Sequence, residues 1–243
     1  MILFSEVTAS DLKMTMSDPY KFKGIILKTS EYKEKDRMIS VLTKDMGIVS
    51  ICVKGVSGKA SRFSFASVPF SYCEFVVSVS HGFYYLKEGS VISGNTGIME
   101  SLEALAVAGH IADCLSWSVM QSDNARDTYE LAIYSFYSLS VNKNDYLSVM
   151  ILFNWKLMWT LGLAAKASEC VSAAGGRHRL SQRHFGILDY IGQNPESKVF
   201  AMKLEEEDIS VLRGFTLDYL RVQLEKDIPD PILKLDLPVV GEQ

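Results

Sequence analysis

Three cations, Lys54, Lys59 and Arg62, stand in the segment Lys54-Gly55-Val56-Ser57-Gly58-Lys59-Ala60-Ser61-Arg62, which contains two glycines and no acid. Glycine adds no side-chain bulk, so a loop of Gly and Lys can lie close against a row of phosphates. Lys33, Lys35 and Arg37 cluster around one turn upstream, and Lys44 stands in the next. The chemistry on offer is neutralisation of a polyanion, not bond making. Gly55 to Ala60 has the look of a phosphate loop, but the earlier glycine would fall at Val53, and Ala60 replaces the Ser or Thr that holds magnesium. No GxGxxG, HExxH or nucleophile elbow occurs. Arg37 has Glu34 and Asp36 beside it and Lys44 has Asp45, which also fits solvated ion pairs of little energetic weight. Lys54, Lys59 and Arg62 have no acid near them in sequence. Tyr32 is a candidate stacking platform, whereas Phe63 and Phe65 suit packing beneath the loop as well as stacking.

Short β-type runs must position these cations. Apolar and β-branched residues predict strands at about Phe22–Thr29, Arg37–Thr43, Ile48–Lys54, Ser71–Val79 and Phe83–Ile92, with His81-Gly82 as a hairpin turn. Five short strands at this spacing predict an OB-fold barrel. Beyond Ser93-Gly94-Asn95 the apolar period becomes helical. Helices are expected over Ile98–Met120, Arg126–Leu139, Tyr146–Leu163, Ser181–Ile191 and Glu205–Lys226. The first reads as the central one, with Ile98, Leu102, Leu105, Ile111, Leu115 and Val119 as its apolar face. Gly162 serves as a helix stop and Ser181 as an N-cap. The fold class is therefore α+β: an extension at 1–19, a barrel at 20–95 and a helical domain at 96–243.

Charge divides along the same line. Tyr20 to Asn95 carries eleven Lys and Arg against six Asp and Glu, a balance of +5, whereas residues 96–243 carry thirteen against twenty, a balance of −7. A basic barrel beside an acidic helical half points to a polyanion at the barrel. No apolar run approaches the roughly 18–20 residues that span a bilayer, and no signal-peptide core is visible, so a cytoplasmic chain is expected. Cys52, Cys73, Cys114 and Cys170 are scattered singly, without any CxxC, which argues against a disulfide framework or a thiolate metal site. His178 and His184, six apart, do not share a helical face and suit surface or locally hydrogen-bonded roles.

One stretch carries a family resemblance. Gly24-Ile25-Ile26-Leu27-Lys28-Thr29, Glu34-Lys35-Asp36-Arg37, Leu42-Thr43-Lys44-Asp45-Met46-Gly47, Val53-Lys54-Gly55 and Ser61-Arg62 follow in an order that resembles the N-terminal domain of the bacterial RecO family of DNA repair proteins. The resemblance implies a non-enzymatic recombination mediator without cofactors, associated with the nucleoid. It implies binding of single- and double-stranded DNA, annealing of complementary strands, and loading of recombinase onto strands coated with single-strand-binding protein (SSB). Its implied partners are RecR and the acidic C-terminal tail of SSB. The DNA-binding residues expected here are Lys35, Arg37, Lys44, Lys54, Lys59 and Arg62. The SSB tail needs an apolar pocket rimmed by cations, for which Arg126, Lys156, Lys166, Arg177 and Arg179 are the candidates, with Trp155, Trp159 or Leu163 near the wall unless the tryptophans are core. Many RecO-like proteins carry a zinc ribbon with two CxxC pairs. At the corresponding place, near 169–180, only Cys170 remains, so a degenerate ribbon without metal is expected. The alternative reading is an OB-fold adaptor for RNA or a protein.

Overall fold

The computed structural model describes residues 19–56, 63–80, 82–120, 125–142, 145–172, 177–233 and 235. The N-terminal extension, the loop tip Ser57–Arg62 and the glycine-rich stretch at 173–176 lie outside the described residues.

Five strands close into a barrel in the order β1-β2-β3-β5-β4. They are β1 (Tyr20–Lys33), β2 (Asp36–Thr43), β3 (Gly47–Val53), β4 (Tyr72–Ser80) and β5 (Phe83–Ser93). All neighbours are antiparallel except β3 and β5, which run parallel through Ile51↔Tyr84 and Cys52↔Tyr85. This is the expected OB-type barrel. The long β1 serves two partners. Its first half pairs with β4 from Tyr20↔Val77, and its second half pairs with β2 from Gly24↔Thr43. At the crossover the strands approach so closely that a Cβ on Gly24 would overlap the Val41 side chain and lie 2.8 Å from the Leu42 carbonyl oxygen.

Alternation sorts the barrel side chains into two cores. Ile26, Ile39, Val41, Val49, Ile51, Val53, Phe75 and Val77 fill the interior. Ile25, Leu27, Leu42 and Phe70 belong instead to the core of the helices. The helices α1 (Leu102–Ser118), α2 (Arg126–Val141), α3 (Tyr146–Thr160), α4 (Ala167–Cys170), α5 (Gln182–Gln193), α6 (Glu196–Val199) and α7 (Glu206–Leu224) follow, and α1 and α2 lie against that wall of the barrel. Phe70 stacks on Phe136 at 5.2 Å, and the hydroxyls of Tyr72 and Tyr129 meet at 3.3 Å.

Two expectations need correction. The central helix is α3, not α1: every residue from Ser148 to Met158 is buried, and α3 packs against α1, α2, α5 and α7. Leu102, read as part of the inner face of α1, is 63% exposed. The buried face of α1 is built on Ala104, Val107, Ala108, Ile111, Ala112 and Leu115, because small residues let α1 lie close to its neighbours. Gly162 does end α3, with a φ of +70° that a residue bearing a Cβ rarely adopts. Among the described residues no helix is long and apolar enough to cross a membrane.

Candidate nucleic-acid interface

The hairpin of β1 and β2 runs to the pair Lys33↔Asp36, so Glu34 and Lys35 form a two-residue turn. This turn sits at the end of the barrel away from the helical core. It is stitched to the exit of β3 by two hydrogen bonds. The Val56 N–H donates to the Lys35 carbonyl at 2.8 Å, and the Gly55 N–H donates to Asp36 Oδ1 at 3.0 Å. Lys33, Lys35 and Lys54 are consequently exposed on one rim. Each of two lysines also lies over a ring: Lys54 Nζ is 5.0 Å from the centroid of Tyr85, and Lys33 Nζ is 5.4 Å from that of Tyr32. The Cys52 thiol reports the same crowding, since burial pushes its pKa up, Asp36 adds to the rise, and Lys54 and Lys33 oppose it.

Arg37 sits just inside this rim. It shares the inward parity of Ile39 and Val41 and is half-buried. One guanidinium nitrogen, Nη1, is 3.4 Å from Thr29 Oγ1, while Nε is shielded and finds no acceptor among the described residues. The two acids that sequence offered as its partners are otherwise placed: Asp36 holds the Gly55 N–H, and Glu34 is exposed in the turn.

The structure separates Lys44 from this group. It occupies the turn between β2 and β3, at the opposite end of β2, and its carbonyl accepts the N–H of Ala125 at 3.1 Å. Eight strand residues intervene, which is roughly 25 Å of extended chain. Lys59 and Arg62 lie outside the described residues. The loop that carries them is anchored at both flanks, because Val56 and Phe63 are buried in the barrel interior. Phe65 packs there too, 6.3 Å from Phe75. Tyr85 does not stand out in the sequence. Its signal is the alternation of β5, in which Tyr84 and Leu86 pack inward.

The second set of cations is dispersed. Arg126 opens α2 and, with the acid Asp127 next to it, lines a cleft of about 610 Å³ together with Ser118, Val119, Thr128, Thr160 and Leu161. Lys166, Arg177 and Arg179 are exposed. Lys156 is not on the surface. It is 7% exposed, and its ammonium donates to the carbonyls of Gly192 at 3.1 Å and Asn194 at 2.7 Å at the end of α5, with Glu196 at 3.9 Å. Trp155 is fully buried and donates Nε1–H to the Leu188 carbonyl at 2.8 Å. Trp159 packs against Gly192, and Leu163 is exposed.

Hydrogen bonds organise the surroundings of Cys170 and His178. The Tyr219 hydroxyl donates to the Leu163 carbonyl at 2.7 Å and lies 3.4 Å from Cys170 Sγ. His178 Nε2 is 2.9 Å from Asp218 Oδ2, and Arg221 donates to Oδ1 of the same carboxylate at 2.8 Å. Burial pulls the Asp218 pKa upward, but these hydrogen bonds outweigh it and hold the group below its ordinary value. His184 completes a capping box with Ser181 at the start of α5.

Residues 16–95 match the family described as recombination protein O N terminal. The similarity continues beyond the barrel. The chain is 24% identical over 232 residues to the DNA repair protein RecO of Acetivibrio thermocellus, covering 85% of this chain and 92% of that one. It is 20% identical over 237 residues to the DNA repair protein RecO of Clostridium acetobutylicum, covering 86% and 96%. The DNA repair protein RecO of Bacillus subtilis is 25% identical over 170 residues, covering 69% and 66%. With residues 16–95 matched to the N-terminal domain and the similarity running on through the helices, the chain is similar to RecO proteins over most of its length.

Proposed function

We propose that this protein is a non-enzymatic recombination mediator of DNA repair. It binds single- and double-stranded DNA at the free rim of its barrel, anneals complementary strands, and helps load recombinase onto SSB-coated single strands, with RecR as a partner and the cytoplasmic nucleoid as its place of action. The observation that carries the DNA-binding part is the joining of Lys33, Lys35 and Lys54 with Tyr32 and Tyr85 on one rim. Lysines neutralise phosphates and release counterions, while aromatic rings accept bases of any sequence. Arg37, Lys59 and Arg62 extend this set. Two strands that share a neutralising surface repel one another less, which is what annealing needs. No bond is made or broken.

The same reading gives the SSB tail, acidic and apolar at its end, to the cleft beside Arg126, where Val119 and Leu161 supply apolar wall; Lys166, Arg177 and Arg179 are further rim candidates. A more apolar groove of about 260 Å³, between α1 and residues 228–235, is lined by Asp113 and by no Lys or Arg among the described residues, and so disfavours an acidic peptide.

Fluorescence anisotropy of the full chain with single-stranded DNA and with RNA, across a salt series, tests the proposal. Affinity for DNA should fall as salt rises, and K35A/K54A should lower the salt slope by about two, one for each phosphate no longer neutralised. Salt-independent affinity, or no DNA binding, overturns the proposal. Preference for RNA favours the adaptor reading.

A further inference from the structure

The end of the barrel nearest the helices holds a second cleft, of about 380 Å³, lined by Tyr20, Lys21, Phe22, Lys23, Thr43, Lys44, Asp45, Met46, Tyr72 and Tyr129. Its size is within the usual range for a small ligand, and its side chains are cationic and aromatic. One wall is backbone: β2 begins pairing with β1 only at Gly24↔Thr43, so Tyr20 to Lys23 pair with β4 on one side and leave the other edge of the strand to the cleft. An unpaired edge presents N–H donors. Of the three lysines, Lys21 is held by Glu74 at 2.8 Å. Lys23 and Lys44 are exposed and form no ion pair among the described residues. Asp45 is the single acid among the described lining residues, so the two lysines outweigh it. Tyr20, one of the lining residues, is 45% exposed.

We propose that this cleft is a second single-strand binding site, taking the phosphate of one nucleotide between Lys23 and Lys44 and its base against Tyr20. The inference rests on the reading of the protein as DNA-binding. It assigns Lys44 to a place of its own, because the length of β2 separates it from the rim of Lys35 and Lys54. Two sites at opposite ends of one barrel let a single chain hold two strands at once, or one strand bent around the wall.

Photo-crosslinking separates the two sites. The full chain is irradiated with a thymidine oligomer of about four nucleotides, the short end of what an OB-fold covers, carrying 5-iododeoxyuridine, and the adducts are mapped by peptide mass spectrometry. Adducts are expected both at Tyr20 and at Tyr32 or Tyr85. K23A/K44A should lower the Tyr20 adduct by about tenfold, as removal of two phosphate-neutralising cations implies, and move the distal adduct by less than about twofold. The distal adduct thereby also serves as the control for folding. Distal adducts alone, or a Tyr20 adduct that K23A/K44A leaves unchanged, overturn the second site while DNA binding stands. No adduct anywhere, with no anisotropy response, overturns both.

Discussion

Asp36 Oδ1 accepts the backbone N–H of Gly55 at 3.0 Å, across nineteen residues of sequence. An acid in the middle of a basic rim thus has a positional role. It ties the turn that carries Lys33 and Lys35 to the strand exit that carries Lys54.

Two effects of Asp36 therefore oppose each other, and variants separate them. D36A removes a negative charge but releases the Gly55 N–H, a hydrogen bond of about 1 kcal/mol. D36N removes the same charge and keeps an acceptor. DNA affinity should fall in D36A and hold or rise in D36N, as read by anisotropy at one fixed salt concentration. If both variants bind more tightly, the charge dominates and the tie is unimportant to the interface.

Lys156 is expected to matter for stability and not for the SSB tail. K156M keeps the buried stem but leaves the carbonyls of Gly192 and Asn194 without their donor, at a cost of about 1–3 kcal/mol. Urea denaturation should show that loss. Affinity for a labelled SSB tail peptide should stay as it was, whereas R126A should weaken it. A tail that lets go in K156M, with the fold intact by circular dichroism, returns Lys156 to the binding surface.

His110 makes stability depend on pH. Burial is the main cause that holds its pKa below the ordinary value, and the hydrogen bond to Asn154 Oδ1 at 2.7 Å only partly offsets it. The unfolded chain therefore takes up the proton first as pH falls. The contribution of neutral His110 is present above about pH 6.5, the ordinary value, and is lost progressively below it, with a slope of at most about 1.4 kcal/mol per pH unit. Urea midpoints measured between pH 5 and 7 should rise with pH, and more steeply in the parent chain than in H110Q. Parallel profiles would show that His110 does not set this dependence.

No stoichiometric zinc is expected in protein purified without chelator. Cys170 is buried beside the Tyr219 hydroxyl, and His178 is engaged by Asp218. Elemental analysis checks this. One zinc per chain, lost in C170S, would show a metal site that the hydrogen bonds do not explain.

The alternation of the barrel strands is legible in the sequence because half of each strand is buried, and β2 to β5 appear close to their expected bounds. β1 is not legible in full. Ser30 to Lys33 are exposed, so no apolar period marks them; they are strand because β2 pairs with them. The meeting of Lys54 with Tyr85 depends on the parallel pairing of β3 with β5, which joins distant segments and leaves no local pattern. Lys156 is misplaced by sequence for a different reason. A cation on a helix normally marks the solvent face, but α3 is buried on all sides, so its ammonium had to find carbonyls within the fold. The opposite ends of β2 occupied by Lys35 and Lys44 follow from strand length alone.

Ile25, Leu27, Leu42 and Phe70 belong to the barrel in sequence but to the helices in packing. During synthesis the barrel segment emerges first, with this greasy wall bare until residues 102–160 follow. At ribosomal speed that interval is roughly 3–12 s, long compared with hydrophobic collapse. The nascent chain therefore passes through a sticky interval in which a holding chaperone, or slow dilute expression, decides between folding and aggregation.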